Sequence, residues 1–586
     1  MFTTRPELSG TFGMVASTHW LASAAGMAVL EGGGNAFDAA AAAAFVLHVV
    51  EPHLNGPGGE VPAIFVAAGD PGPTVLCGQG VAPAGVAVEK FHGLELVPGT
   101  GLLAATVPGA VGAWLTLLRD HGTKSLGEIL GYAIGYAEHG HVPVPRVTET
   151  IGAVAQLFRD EWRTSAEVWL AATGADGLLR NRALAATYTR LVDEAKGSTR
   201  EARIEAAITA WYEGFVAEAI DGFCQTPVLD DSGERHAGLL TGGDLASWRP
   251  GYERPVSLET HGWTVYKVGP WCQGTALLQQ LALLDALGEL PPQGSAELIH
   301  RTTEVAKLAF ADREAWYGDV HGVPVGELLS AGYAKDRAAL ITDGASLELR
   351  PGSPGGRTPR LPRYLTEQAT ATVPLVRMGG IGEPTISRHG TTRGDTCHID
   401  VADRWGNMIS ATPSGGWLQS SPAVPGLGFC LGTRAQMFWL EEGLPASLAP
   451  GRRPRSTLTP SFARRDGKLL AFGTPGGDQQ DQWQLGFFLN HAAFGMDLQE
   501  SIDAPAWHTT AFPSSFYPRE TVPGGLVVES RVDSGARDEL TRRGHRVTVS
   551  EPWSLGRLSA VERDMETGVL RAAANPRGMQ GYAVGR

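Results

Sequence analysis

Residues 394–407 place a strand directly after a long turn-rich segment, and this junction most constrains the fold. Thr396, His398 and Asp400 alternate with apolar residues, so they are expected to share one face of a half-buried strand. Residues 403–407 are typical of a hairpin loop, and the apolar residues after them begin a second strand. The pattern therefore predicts two antiparallel strands, the first starting near Thr396.

Thr396 admits two interpretations. If the peptide bond before it is cut, its hydroxyl can act as a nucleophile. The freed α-amine, with a pKa of about 7.7–8.0, can then accept the hydroxyl proton. The alternative is an ordinary β-branched residue, because strands favour threonine in any case. This stretch alone leaves both interpretations open.

Length and composition limit the class of protein. The 586 residues exceed what one hydrophobic core normally holds, so two domains or one large layered unit are expected. The net charge of −14 argues against nucleic-acid and anionic-membrane partners. Five cysteines without CxxC spacing, and no signal-peptide core at the N-terminus, predict a cytoplasmic protein. The histidines do not cluster, so no metal or other cofactor is expected, and His398 is interpreted as a hydrogen-bonded core residue.

The rest of the chain predicts helices, short strands and one long irregular segment. Residues 274–287 and 296–316 have strong helical periodicity. In the second helix, residues 301–304 and 313–314 are expected on the solvated side. Residues 349–395 shift to Pro, Gly and Arg, and they are expected to be mobile or surface-bound.

Two turns beyond Thr396 carry groups suited to catalysis. Residues 454–460 present Ser456 and Thr457 between prolines. Gly476 and Gly477 follow a predicted strand and precede a helix expected to start near residue 482. Consecutive glycines there can point two backbone N–H groups at a developing oxyanion. Each feature is also compatible with an ordinary turn.

Taken in order, these pieces resemble the γ-glutamyltransferase family of N-terminal-nucleophile hydrolases along nearly the whole chain. The matching blocks are residues 32–39, 106–112, 240–246, 307–313, 394–398, 453–460 and 474–477. The resemblance implies an α/β fold, a four-layer αββα sandwich, made as one precursor that cuts itself between Asp395 and Thr396. Fragments 1–395 and 396–586 would then form a heterodimer, or a dimer of heterodimers. Thr391 and Thr392 are rivals, but Thr396 keeps the family's distance to residues 406–407.

The resemblance also assigns roles to individual residues. It makes Thr396 the nucleophile and Ser414 the second hydroxyl residue that assists it. Ser456 and Thr457 match the paired substrate-binding serines, and Gly476 and Gly477 match the oxyanion-hole glycines.

The departures from the family concern the amino-acid clamp. The arginine that binds a γ-glutamyl carboxylate falls on Gln79, and the acidic residue that binds the ammonium falls near Met437. The asparagine after the second hydroxyl residue falls on Gly416. Neither Gln nor Met can replace an ion pair, so fixed recognition of a zwitterion is not expected. Arg434 is left as either an anchor for a substrate carboxylate or a structural arginine paired with residues 441–442.

These features predict a self-processing amidohydrolase that cleaves a small amide through an acyl-threonine. The pattern is more similar to the glutathione hydrolase-like and oxamate amidohydrolase-like branch than to the transferases. One alternative is a true γ-glutamyl hydrolase or transferase acting on glutathione-like substrates. Another is a non-catalytic scaffold or binding relative that keeps the fold.

Overall fold

The computed structural model describes residues 3–368, 396–577 and 581–586. Asp395, Thr391 and Thr392 lie outside these ranges. The strands are β1 (Leu8–Gly10), β2 (Gly13–Ser17), β3 (Val61–Val66), β4 (Thr74–Gly78), β5 (Val228–Leu229), β6 (Arg235–His236), β7 (Gly251–Glu253), β8 (Val256–Thr260), β9 (Trp263–Lys267), β10 (Ile399–Asp403), β11 (Met408–Ala411), β12 (Ser461–Arg465), β13 (Lys468–Gly473), β14 (Trp507–Thr509), β15 (Gly525–Glu529), β16 (Arg546–Ser550), β17 (Ser559–Asp564), β18 (Leu570–Ala574) and β19 (Tyr582–Gly585).

The α-helices are α1 (Trp20–Glu31), α2 (Ala36–Val50), α3 (Ala110–His121), α4 (Leu126–His139), α5 (Pro145–Asp160), α6 (Arg163–Ser165), α7 (Arg182–Glu194), α8 (Arg200–Tyr212), α9 (Phe215–Cys224), α10 (Gly242–Ser247), α11 (Thr275–Leu287), α12 (Ala296–Trp316), α13 (Val325–Leu328), α14 (Ala331–Ala338), α15 (Arg363–Gln368), α16 (Gln480–Ala492), α17 (Leu498–Asp503) and α18 (Ser534–Arg542). Short 3₁₀ segments occupy Val88–Phe91, Pro354–Gly356, Arg434–Met437 and Gly477–Gln479, and a π turn occupies Ala166–Leu170. Within the described ranges, no helix is both long and apolar enough to cross a membrane.

Two seven-stranded sheets form the centre of the molecule. Sheet I has the order β1-β18-β17-β13-β12-β9-β8, and sheet II has the order β19-β2-β10-β11-β3-β4-β7. Neighbouring strands in both sheets run antiparallel. Apolar side chains from both sheets, including Met14 and Ile64 of sheet II and Phe462 and Val561 of sheet I, form one buried cluster between them. The sheets therefore pack face to face.

Helices cover the outer face of each sheet. The core under sheet II joins Ile399 and Val401 of β10 to the alanine run of α2, and every residue of α2 is buried. Small side chains let this helix lie close to the sheet. The core under sheet I joins strands β9, β12 and β13 to α11 and α16. The predicted four-layer αββα sandwich is thus confirmed.

Both predicted fragments contribute strands to both sheets. Strands β1, β8 and β9 of sheet I and β2, β3, β4 and β7 of sheet II precede Thr396, and the other strands of the two sheets follow it. In sheet II, β10 lies between β2 and β11, with Ile399 paired to Ser17 and Ala411. A cut before Thr396 would leave the fragments joined by continuous sheets.

The helix α12 has the predicted bounds but not the predicted solvated side. Glu304, Arg313 and Glu314 are all buried, with side chains at most 2% exposed. Arg313 binds Glu314 at 2.8 Å and also pairs with Asp478, far along the chain. The expectation was wrong because these charges are neutralised by partners inside the protein.

The Pro/Gly/Arg-rich segment is described only as far as residue 368. There, Arg360 binds Glu441 at 2.9 Å, and Tyr364 packs against Trp439. Residues 360–364 are therefore bound to the surface of the protein, which was one of the two alternatives expected for this segment. The expectation of mobility beyond it falls outside the described residues.

Candidate active site

Thr396 lies fully buried, three residues before β10. It forms an antiparallel bridge with Ser414, and its Oγ donates a hydrogen bond to Ser414 Oγ at 3.2 Å. Ser414 exchanges two backbone hydrogen bonds with Glu60, at 3.0 and 2.9 Å. The structure therefore brings together the two hydroxyl residues that the sequence proposed as partners.

Arg434 lies on the far side of Ser414 and is also buried. Its Nη2 donates to Ser414 Oγ at 3.0 Å, and its Nε donates to Glu60 Oε1 at 2.6 Å. The carboxylate partner is therefore Glu60, and the pairing expected with residues 441–442 was wrong. Glu441 instead binds Arg360, with 2.9 Å between the Oε1 and Nη2 atoms.

The Gly476–Gly477 turn has a backbone that only glycine adopts readily. The φ angles are +125° at Gly476 and +53° at Gly477, and α16 begins soon after, at Gln480. A Cβ atom added at Gly476 would lie 2.2 Å from the Trp483 ring. The predicted strand–turn–helix is confirmed, although the helix starts two residues earlier than expected.

Gln273 connects this turn to the segment that holds Ser456 and Thr457. Its Nε2 donates to Gly477 O at 3.2 Å, and its backbone N donates to Ser456 O at 2.9 Å. Ser456 Oγ accepts from Leu458 N at 3.2 Å, while the buried Thr457 Oγ has no hydrogen-bond partner in the described structure. The structure therefore places the hydroxyl pair beside the Gly-Gly turn.

Arg557 is a site residue that the sequence reasoning missed. Its Nη2 donates to Thr396 O at 3.2 Å, and its backbone N donates to Thr474 Oγ at 3.0 Å. Its Nη1 lies 3.7 Å from Glu51. This one residue thus ties Thr396 to the loop that carries Gly476. No local motif marks it, and only the contacts across the two sheets reveal it.

Cys397, the residue after Thr396, is held as a protonated thiol. Its Sγ donates to Glu51 Oε2 at 3.0 Å, and Glu51 also accepts from Thr18 Oγ at 2.7 Å. Burial, followed by the negative charge of Glu51, raises the pKa of Cys397 well above its usual range. A thiol whose pKa is raised is a poor nucleophile at neutral pH.

Positions 79 and 416, where γ-glutamyl members of the family carry residues of the amino-acid clamp, do not offer charged groups here. Gln79 is fully buried, and its Nε2 donates to the adjacent Gly80 O at 3.1 Å. A Cβ at Gly416 would lie 2.8 Å from Gly59 N, at a φ of +65°. An asparagine side chain therefore has no room at position 416, where the family places one.

His398 is a hydrogen-bonded core residue, as predicted. Its Nδ1 lies 2.9 Å from Thr412 Oγ and its Nε2 lies 3.0 Å from Asp400 Oδ1. Ser559 of sheet I donates to Asp400 Oδ2 at 2.7 Å. Thr396, His398 and Asp400 therefore follow the predicted alternation, with the last two facing sheet I.

One group of histidines does cluster, contrary to the expectation from the sequence. His300, Glu304 and His545 have potential ligand atoms within 4.8 Å of one another. His300 Nδ1 lies 2.9 Å from His545 Nε2, and Lys307 Nζ donates to Glu304 at 2.6 Å. His300 Nε2 lies 2.7 Å from Thr342 O, while the buried His545 Nδ1 has no hydrogen-bond partner among the described residues. Residues far apart in sequence meet here, which spacing alone did not show.

The αββα sandwich, with a buried threonine just ahead of a central strand, is the architecture of the N-terminal-nucleophile hydrolases. The chain belongs to the γ-glutamyltransferase family, because a family model described as Gamma-glutamyltranspeptidase matches residues 22–585.

Similar proteins agree with this assignment. The oxamate amidohydrolase proenzyme of Klebsiella pneumoniae subsp. pneumoniae is 30% identical, over 97% of this chain and 97% of that protein. A solved structure described as LmbA2991HD is 61% identical, covers 100% of both chains and has a TM-score of 0.93. Cephalosporin acylase from Bacillus halodurans is 27% identical, with a TM-score of 0.81 over 100% of this chain and 97% of that one. The predicted family, fold and hydrolase class are confirmed.

Proposed function

We propose that this protein is a self-processing amidohydrolase whose nucleophile is Thr396. The observation that carries the proposal is the buried hydrogen bond from Thr396 Oγ to Ser414 Oγ, at the first residue of the predicted small fragment. Relatives described as an amidohydrolase proenzyme and an acylase support the reaction class.

The mechanism begins with a cut between Asp395 and Thr396, which frees the threonine α-amine. The neutral amine accepts the Oγ proton while Oγ attacks the carbonyl carbon of an amide. Ser414 holds Oγ in place, and the backbone N–H groups of Gly476 and Gly477 stabilise the oxyanion. The amine then protonates the leaving nitrogen, and water hydrolyses the acyl-threonine ester.

Arg557 and Gln273 position this machinery. Arg557 fixes the carbonyl of Thr396 while its own backbone holds the loop before Gly476. Gln273 holds the carbonyl of Gly477. Preorganised donors contribute most when they do not have to reorient during the reaction. These contacts therefore support a fixed oxyanion site.

The substrate is proposed to be a small amide other than a γ-glutamyl compound. Gln79 and Met437 stand where γ-glutamyl members carry charges, and neither forms an ion pair. Steady-state kinetics on the cut protein, with glutathione compared to small non-zwitterionic amides, test this. Efficient glutathione hydrolysis with a low KM would instead support the γ-glutamyl alternative. An uncut chain without activity would support a scaffold.

The two fragments are proposed to form a heterodimer, which the proenzyme relative and the shared sheets support. We further propose a dimer of heterodimers, without a membrane partner, in the cytoplasm. The five buried free cysteines support a reducing compartment. Analytical ultracentrifugation and cell fractionation test these two proposals, and a monomeric heterodimer or a secreted protein would contradict them.

A further inference from the structure

The side of Arg434 that faces away from Glu60 forms a small subsite of its own. Glu60 and Ser414 take the Nε and Nη2 groups of the guanidinium. Among the described residues, the one hydrogen-bond partner of Nη1 is the thioether sulfur of Met437, at 3.9 Å. A guanidinium has five N–H donors, so the Nη1 edge still has donors for a second oxygen acceptor.

Apolar side chains surround this edge. Trp417, Met437 and Phe516 form one buried cluster, and Arg434 lies 5.5 Å from the Trp417 ring and 5.8 Å from the Phe516 ring. We call Trp417, Arg434, Met437 and Phe516 the Arg434 subsite. Apolar walls strengthen a charged hydrogen bond because they exclude water.

The position of this subsite makes it part of the acyl-binding region. Arg434 donates to Ser414 Oγ, and that same oxygen accepts the hydrogen bond from Thr396 Oγ. The 3₁₀ turn that carries both Arg434 and Met437 is held by Arg519, whose Nη2 donates to Gln436 O at 2.9 Å and Phe438 O at 3.1 Å. The guanidinium is therefore fixed one residue away from the nucleophile.

The Arg434 guanidinium is already paired with Glu60, and its Nη1 edge presents N–H donors, whereas a site that binds an ammonium presents acceptors. Met437 stands where γ-glutamyl members of the family carry an acidic residue, and a guanidinium edge is directed at it. A carboxylate on the acyl group would accept a charge-assisted hydrogen bond from Nη1, whereas an ammonium, which has only donors, would find no acceptor on this edge.

We propose that the Arg434 subsite binds the carboxylate of a short apolar acyl group that carries no ammonium. This inference rests on the proposed amidohydrolase function and names its substrate class. The fixed guanidinium, its donor edge directed at Met437 and its apolar walls select such a group.

Three 4-nitroanilides with matched chains test the proposal on the cut protein. Glutaryl 4-nitroanilide has a terminal carboxylate, butyryl 4-nitroanilide lacks it, and γ-glutamyl 4-nitroanilide adds an ammonium. Since a charge-assisted hydrogen bond is at stake, kcat/KM should be about tenfold or more higher for the glutaryl compound than for either of the others. A preference for the γ-glutamyl compound, or equal rates for the glutaryl and butyryl compounds, would overturn the proposal.

The variant Met437→Asp locates the effect at the subsite. Its carboxylate would bind the Nη1 edge and repel a substrate carboxylate, so the glutaryl-to-butyryl ratio of kcat/KM should fall by about tenfold. Met437→Leu keeps an apolar side chain and should keep the ratio. An unchanged ratio in Met437→Asp would show that the carboxylate binds elsewhere.

Direct binding separates failure of this inference from failure of the proposed function. If no anilide is hydrolysed, the amidohydrolase assignment fails. Isothermal titration of the wild-type protein with glutarate and with butyrate then still tests the subsite. Glutarate should bind about tenfold more tightly. Equal affinity, or tighter binding of glutamate than of glutarate, would refute the subsite.

Discussion

The variant Gly476→Ala tests whether the Gly-Gly turn supplies the oxyanion donors. The added methyl group would lie 2.2 Å from Trp483 Cζ3, and Trp483 is itself only 4% exposed. The φ of +125° is also unfavourable for alanine. A strained backbone of this kind costs about 1–3 kcal/mol, so the turn is expected to shift rather than accept the methyl group in place.

A shifted turn misdirects the N–H groups of residues 476 and 477. Loss of one oxyanion donor raises the barrier by about 3–4 kcal/mol, so kcat should fall by about 10²–10³-fold. Electrophoresis first gives the fraction of cut chain, and kcat per cut chain is then measured with the best anilide.

Gly486→Ala is the matched control. Gly486 lies on α16, near Trp483 in sequence, and a Cβ there meets no atom within 4 Å. Alanine in a helix interior should stabilise the protein by up to about 1 kcal/mol and leave kcat unchanged. A Gly476→Ala enzyme with kcat within about threefold of wild type would refute an oxyanion role for this turn.

Three further variants and conditions test the neighbouring contacts. Glu60→Gln leaves Arg434 buried without a carboxylate and should lower the free energy of unfolding by about 3 kcal/mol in urea titration. Glu441→Gln is the control, because Glu441 forms an exposed pair with Arg360, and it should change the free energy of unfolding by under about 1 kcal/mol. Similar losses in the two variants would contradict the buried pairing. Arg557→Met removes the donor to Thr396 O and should slow self-cleavage by about tenfold in timed electrophoresis, and an unchanged rate would exclude that positioning role. Because only the neutral α-amine accepts a proton, kcat/KM should rise with pH up to about 7.7–8.0; a flat profile from pH 5 to 9 would argue against the amine as base.

The periodic elements could be predicted from sequence because their signal is local. The helix α12 and the strands β3 and β9 have bounds that follow directly from hydrophobic spacing. The alternation around His398 correctly assigned the faces of β10. Burial of charge was not predictable in this way. Arg313 looked solvated because its partner Asp478 lies on a segment that the fold alone brings near.

In the candidate site, too, residues within local motifs were predicted and residues that act through long-range contacts were not. Thr396, Ser414 and the two glycines of the turn were found because each belongs to a recognisable block. Glu60, Arg557 and Gln273 were missed, since each acts through one long-range contact with no local pattern. The partner of Arg434 was misassigned for the same reason: the nearest carboxylates in sequence are not the nearest in space.

The masses of the purified chains test the central claim most directly. Intact mass spectrometry of the wild-type protein should give two chains, residues 1–395 and 396–586, and N-terminal sequencing of the shorter one should begin Thr-Cys-His. Thr396→Ala should give a single uncut chain without amidase activity. An active, uncut wild-type chain, or a shorter chain that begins at Thr391 or Thr392, would contradict Thr396 as the nucleophile.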